Sequence, residues 1–540
     1  MKNAGFLSIM LLLISSFGLT DTPAGVKPAM GRDLKMTIKK VPILVGKEEN
    51  DLMYINISVD STFKKPVSVT RVRIKFSKSS NPENLVSVNA YFYHEKIASD
   101  KKDLFGKVDL PKLKNNIKGN SVLRSGINTF IFSFHPKAGI EYTDHLLLTG
   151  IELSFSDKTV KIVEIPSDID PWRFGLVLRK AGQDNCDTYR IPGLVTTNKG
   201  TLIAVYDNRY KDSKDLQNDI DVGMSRSEDG GNTWEPMKVI IDMKEWGGRP
   251  ESENGIGDPC VFMDRSNNNI WVAGLWAYGN PGKHAAAVSG PGLKPEETGQ
   301  LVLVKSEDDG ITWSPPANIT PSVKNPAWHL MMQGPGMGIT INDGTIVFPA
   351  RINNADKVPY STIYYSKDHG NTWHIGTGAK SGTSEAQCVQ LTDGSIMLNM
   401  RDNRNSKEKG ETNGRAVAVT TDLGTSWTVH PSSNSALPES VCMASLISTE
   451  IVIEGQTKRI LLFSNPNDKY KRINMTIKAS LDEGLTWPEK YQVLLDESEG
   501  YGYSCLTMVD DQTVGILYEG EKDLYFQKIL LKDIIGDVYK

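Results

Sequence analysis

Ser227-Glu228-Asp229-Gly230-Gly231-Asn232-Thr233-Trp234 has the pattern Ser-x-Asp-x-Gly-x-Thr-Trp. It recurs at Ser306–Trp313, Ser366–Trp373 and Ser480–Trp487. A degenerate copy spans Thr420–Trp427, with Thr for the first Ser and Ser426 for Thr. The Trp-to-Trp intervals are 79, 60, 54 and 60 residues. Each position has a physical task. The Asp carboxylate can accept N–H groups of its own turn. The Gly can take a positive φ without steric cost. The Trp offers a large apolar ring to bury between sheets. Strand-like runs such as Gln300–Val304 and Met475–Ala479 precede the motifs, so each motif reads as a hairpin clasp. Sheets repeated at this interval predict a β-propeller, and about 60 residues per unit makes roughly six blades. Five copies point to a structural role, because one active site does not need five.

Outward from the repeat, the 540-residue chain divides by composition. Residues 21–170 carry 23 basic and 18 acidic side chains, a balance of +5. Residues 171–540 carry 37 and 47, a balance of −10. All ten Trp lie at position 172 or later. In the first part Arg71-Val72-Arg73-Ile74-Lys75-Phe76 alternates with period 2, and turn clusters separate similar runs. That predicts a β-sandwich. The chain is therefore expected to be all-β: a smaller N-terminal β-sandwich over 21–165, a linker at 166–175, and a six-bladed β-propeller over 176–540.

Residues 1–20 read as a secretory signal, with Lys2 before the apolar stretch Phe6–Ile14. The run is short for a membrane span, so an exported protein, periplasmic or extracellular, is expected. The five cysteines are scattered, odd in number and without Cys-x-x-Cys, which fits neither a disulfide framework nor a zinc site. The eight histidines are unclustered, so no metal and no cofactor is expected. The −10 balance argues against nucleic acid as a partner.

The clasps, together with Tyr189-Arg190-Ile191-Pro192 and an ordered series of later residues, resemble the bacterial exo-α-sialidases (neuraminidases) of glycoside hydrolase family 33 over about residues 175–530. The resemblance implies a monomer that cleaves terminal α-linked sialic acids from sialylated glycans. Sialic acid bears a carboxylate on its anomeric carbon. The resemblance assigns that anion to Arg190, Arg401 and Arg472, and the planar guanidinium fork suits a carboxylate. Arg404 and Arg415 compete for the second position. Tyr503 in Tyr501-Gly502-Tyr503 is implied as the nucleophile, with Tyr501 its rival and Glu385 its base. A neutral phenol avoids the repulsion that an anionic nucleophile would meet, but needs a base to take its proton.

Asp215 is implied as the acid/base, with Asp212, Asp219 and Asp221 as competitors. Protonating the leaving oxygen requires its pKa to be raised, by burial or by substrate. Arg209 is expected to line the pocket near the sugar's C4 substituent. Asp258 is expected to accept a hydrogen bond from the sugar, and Glu519 to brace Arg190. Intramolecular trans-sialidases, sialyl-transferring enzymes and a non-catalytic Asp-box lectin are the alternative readings.

Overall fold

The computed structural model describes residues 32–61, 65–95, 102–163, 165 and 169–538. The signal-like residues 1–20 and the first three residues of the expected linker, 166–168, lie outside the described residues. Two sheets form the N-terminal part. A five-stranded antiparallel sheet runs in the order Arg32–Ile38, Asn50–Val59, Gly126–Pro136, Leu85–His94, Asp103–Asp109. A four-stranded sheet runs Val160–Val163, Leu148–Phe155, Ser68–Phe76, Lys114–Val122. Along Ser68–Phe76, Val72, Ile74 and Phe76 are buried, while Arg71, Arg73 and Lys75 are partly exposed. Their apolar faces close one core with Phe130, Phe132 and Phe134.

The rest of the chain builds a β-propeller from antiparallel meanders, six sheets among the described residues. One strand of each sheet, Thr188–Thr196, Ile256–Asp264, Ile346–Asn353, Thr383–Gln390, Ser445–Ile453 and Ser504–Asp510, touches the next in sequence around a ring. The last sheet joins both ends of this part. Trp172–Arg179 pairs antiparallel with the C-terminal strand Leu524–Leu530. Such closure removes the exposed sheet edges that an open arrangement would leave.

The clasps have one geometry. At the second, Ser306 Oγ donates to Asp308 Oδ1 at 2.9 Å, Gly310 N donates to Ser306 Oγ at 2.9 Å, and Thr312 N and Oγ1 donate to the Asp308 carboxylate at 2.8 and 2.5 Å. The same bonds recur around Asp229, Asp368, Asp422 and Asp482. Gly370 is required twice over: its φ is +84°, and a Cβ would sit 2.4 Å from the Trp271 ring.

Two boundaries differ from the sequence reading. Ile43–Val45, from the N-terminal part, pairs parallel with Phe174–Leu176 and adds a strand to the last propeller sheet. Trp172 does not pack as propeller core. Its ring lies 5.2 Å from Phe134, within the N-terminal cluster, and its Nε1 donates to Lys39 O. Charge and Trp content locate the boundary only to within a strand, because one strand serves both cores. All five cysteines are buried and unpaired.

Candidate active site

One end of the propeller gathers the ends of strands from every sheet. Arg190 and Asp258 sit at register shifts in their strands, as Glu385 does in Thr383–Gln390. A bulge re-aims a side chain that regular pleating would bury. Arg401 ends Ile396–Asp402, Glu519 ends Thr513–Glu519, Tyr503 precedes Ser504–Asp510, and Arg472 lies in the loop before Met475–Ser480. Arg190, Asp215, Asp258, Glu385, Arg401, Arg472 and Tyr503 line one cavity of about 240 Å³.

At its floor, Tyr503 Oη donates to Glu385 Oε1 at 2.5 Å. Arg401 Nη1 donates to Glu385 Oε2 at 2.5 Å and to Tyr503 Oη at 2.9 Å. Burial raises the Glu385 carboxyl, but Arg401 and the Tyr503 hydrogen bond outweigh it, so its pKa falls below the ordinary value. Burial and the Glu385 charge push the Tyr503 phenol well above its ordinary value. The pair is therefore a neutral phenol donating to a carboxylate, the starting state for deprotonated attack by the phenol oxygen.

Glu519 has a fully buried side chain. It accepts from Arg190 Nε at 3.0 Å, Ile191 N at 2.8 Å and Tyr503 N at 2.9 Å. It therefore holds the Arg190 guanidinium and the Tyr503 backbone in one frame. The Arg190 guanidinium lies 4.3 Å over the Tyr501 ring and 5.3 Å from that of Tyr503. Tyr501 thus packs under Arg190, and Tyr503 is the tyrosine bonded to the Glu385 carboxylate. Arg472 is anchored by Tyr501 O at 2.8 Å and Val441 O at 2.9 Å. Of the competing arginines, Arg404 is turned to Asp402, and Arg415 is buried against Glu439 at 2.7 Å.

Asp215 stands at the cavity mouth with its side chain about half exposed. It accepts from Arg209 Nη1 at 2.8 Å and from Arg190 Nη1 at 3.5 Å. Burial raises its pKa, but Arg209 and Arg190 outweigh burial and lower it. None of its competitors lines this cavity: Asp212 pairs with Lys214, Asp221 accepts from Tyr210 Oη, and Asp219 is absent from the lining too.

Arg209 departs from its expected place. It is 1% exposed and does not line the cavity. Asp207 takes its Nε and Nη2 at 3.1 and 2.8 Å, and Asp215 and Ser213 O take Nη1. It braces the site from behind because two carboxylates saturate its fork.

Asp258 is also different from an ionised acceptor. Burial, then the charges of Asp207 and Asp215, raise its carboxyl well above the ordinary value. Asp207 holds Arg209 Nε and Nη2 on Oδ2 and accepts the Asp258 N–H at 2.8 Å, so of the two carboxyls Asp258 is the one whose charged form is more strongly disfavoured. A neutral acid facing the cavity can donate. Asp258→Asn is then expected to change stability by less than about 1 kcal/mol at neutral pH, while Asp207→Asn costs on the order of 3 kcal/mol by unpairing buried Arg209. The sign of the pH effect follows. The folded chain holds a proton that the unfolded chain loses above about pH 4, so this group lowers stability as pH rises. Denaturant titrations across pH should show that downward slope in the wild type and a shallower one in Asp258→Asn.

Two residues of the site escaped the sequence reading. Arg351 lines the cavity and makes one side-chain hydrogen bond, to Asn353 Oδ1 at 3.3 Å, with no carboxylate in salt-bridge reach among the described residues. Burial lowers its pKa. His284 lies at the rim, with Nε2 4.0 Å from Asp215 Oδ2. Arg351 lies two residues from the end of Ile346–Asn353, much as Arg401 lies one from the end of Ile396–Asp402, and that similar position was the available signal.

A model of the BNR repeat-like domain matches residues 200–516. The chain is 41% identical over 523 residues to a sialidase of Bacteroides fragilis, covering 92% of this chain and 94% of that one. It superposes on the solved structure of Hadza microbial sialidase Hz136 with a TM-score of 0.83 and 38% identity, covering 92% of this chain and 99% of the other. The intramolecular trans-sialidase of Ruminococcus gnavus matches with a TM-score of 0.57 at 18% identity, over 67% of this chain and 98% of that one, a likeness of fold alone.

Proposed function

This chain belongs to the sialidase family, and from that premise we propose that it is a retaining exo-α-sialidase that releases terminal α-linked sialic acids through a sialyl–tyrosine intermediate. The observation that carries this reading is the 2.5 Å bond from Tyr503 Oη to Glu385, bridged by Arg401. In the first step the Tyr503 oxygen bonds to the anomeric carbon as the bond to the leaving oxygen breaks. Glu385 takes the phenol proton and Asp215 gives one to the leaving oxygen. In the second step Asp215 takes a proton from water, the water oxygen replaces Tyr503, and Glu385 returns the proton to the phenol.

Arg190, Arg401 and Arg472 supply the carboxylate grip. Cationic groups aimed where charge resides act strongly in a water-poor cavity. The same arrangement supports a way for Asp215 to become an acid. Arg190 helps hold it ionised in the free protein. A substrate carboxylate bound by Arg190 offsets that charge, and the leaving group covers the exposed face of Asp215. Both changes raise its pKa. Asp258, as a donor, faces the sugar from the same wall. The apolar stretch after Lys2 supports export to the periplasm or the medium.

Proton NMR of a sialoside during hydrolysis tests the reading. The α anomer of free sialic acid should form first and then mutarotate. A first-formed β anomer contradicts double displacement, and an anhydro-sugar product makes the enzyme an intramolecular trans-sialidase instead.

A further inference from the structure

Arg415 and Glu439 form an ion pair that the reaction does not use. Both are 1% exposed, and Arg415 Nη1 donates to Glu439 Oε1 at 2.7 Å. Neither lines the cavity of Tyr503. Their other bonds show what the pair joins. Arg415 Nε donates to Asn399 Oδ1 at 2.7 Å, and its Nη2 to Asn399 O at 3.3 Å. Glu439 Oε2 accepts from Asp402 N at 3.0 Å and from Asn405 Nδ2 at 2.6 Å. Asn399 and Asp402 flank Arg401, so the pair holds the end of Ile396–Asp402 on both sides of that arginine.

The pair reaches Arg472 as well. Arg415 Nη1 also donates to Cys442 O at 2.7 Å. Glu439 and Cys442 therefore bracket Val441, whose carbonyl accepts from Arg472 Nη2 at 2.9 Å. Val441 has a φ of +57°, which a β-branched residue keeps only where its surroundings fix it. The same segment meets the nucleophile: Cys442 Sγ donates to Tyr501 O at 3.7 Å, and Cys442 packs in one cluster with Tyr503. One buried pair thus ties the strand end that carries Arg401 to the carbonyl that anchors Arg472. It does so between neighbouring sheets, because Arg415 precedes Ala416–Thr420 and Glu439 precedes Ser445–Ile453.

Stability alone is a poor reason for this pair, since apolar side chains of similar volume commonly serve as well as a buried ion pair. What they lack is direction. A planar fork answers Glu439, Asn399 and Cys442 at once and so fixes the distance between the elements that carry them. We propose that Arg415 and Glu439 are positioning residues, which set the spacing of Arg401 and Arg472 and with it the fit of the cavity to a carboxylate. The proposal rests on the reading that these arginines grip the carboxylate of sialic acid.

Two variants test it. In Arg415→Lys the ammonium keeps a charge beside Glu439 but cannot span Asn399, Glu439 and Cys442 together. Arg415→Met/Glu439→Met replaces the pair with apolar side chains and strands no charge, so it decides the matter if Arg415→Lys fails to fold. Calorimetry reads the affinity for the unsaturated analogue of sialic acid, with a double bond between C2 and C3, and for its C1 amide, which has the same size and no charge. The wild type should bind the acid about 100-fold more tightly than the amide. Either variant should shrink that ratio by about 10-fold, through weaker binding of the acid. A lowered melting temperature with an unchanged ratio makes the pair structural only and overturns the positioning role. A wild type without preference for the acid overturns the carboxylate grip beneath it.

Discussion

Tyr503→Phe is expected to lower kcat by a factor on the order of 10⁴, while substrate binding weakens little. The substitution removes one oxygen. The ring stays, with its packing against Ile191, Cys442 and Met443 and its place beside Arg190 and Arg472. What disappears is the atom that donates to Glu385 at 2.5 Å and accepts from Arg401 at 2.9 Å. Glu385 and Arg401 remain bonded to each other at 2.5 Å, so no buried charge is stranded and the fold should hold. Steady-state kinetics with a near-normal melting temperature would therefore separate loss of chemistry from loss of structure. Turnover within about 10-fold of wild type would remove Tyr503 from the nucleophile's role.

Glu519→Ala is expected to cost about 3–5 kcal/mol of stability and to abolish measurable turnover at ordinary substrate concentrations. The carboxylate is buried completely and answers four donors, Arg190 Nε and Nη2, Ile191 N and Tyr503 N. Removing it leaves the Arg190 guanidinium buried without its bidentate partner and two backbone N–H groups unsatisfied. Glu519→Gln keeps an oxygen for the backbone donors but not the charge, so its loss should be intermediate. Urea titration reads the stability, with a midpoint shift at unchanged slope. Kinetics on the Gln variant should show the defect chiefly in KM, because Arg190 is then free to leave the carboxylate grip. Wild-type stability in the Ala variant would contradict the bracing role.

Much of this was legible in the chain, for physical reasons. A clasp needs Asp, Gly and a hydroxyl at fixed spacing to close a turn, so the propeller announces itself five times. Arg190, Glu385, Arg401, Arg472 and Tyr503 are each flanked by recognisable local sequence, and they meet because first strands begin where second strands end. What was hidden depends on partners far apart in sequence. That the Asp258 carboxyl is raised far above its ordinary range follows from its burial beside Asp207, which has claimed Arg209, and only the folded arrangement decides that. Arg209 reads as a sugar contact until Asp207 and Asp215 are seen to enclose it. Arg351 and His284 have no motif around them. The strand Ile43–Val45 carries no mark that it pairs 130 residues away with the propeller.

The central claim is a covalent bond from sialic acid to Tyr503. The measurement that meets it most directly is intact-mass and peptide mass spectrometry after incubation with sialic acid fluorinated at C2 and C3. The C2 fluoride leaves readily, and the C3 fluoride slows the second step. One sialyl unit should be found per chain, on the peptide containing Tyr501-Gly502-Tyr503, and absent from Tyr503→Phe. An adduct on Glu385 or Asp215, or an adduct that survives in Tyr503→Phe, would contradict it.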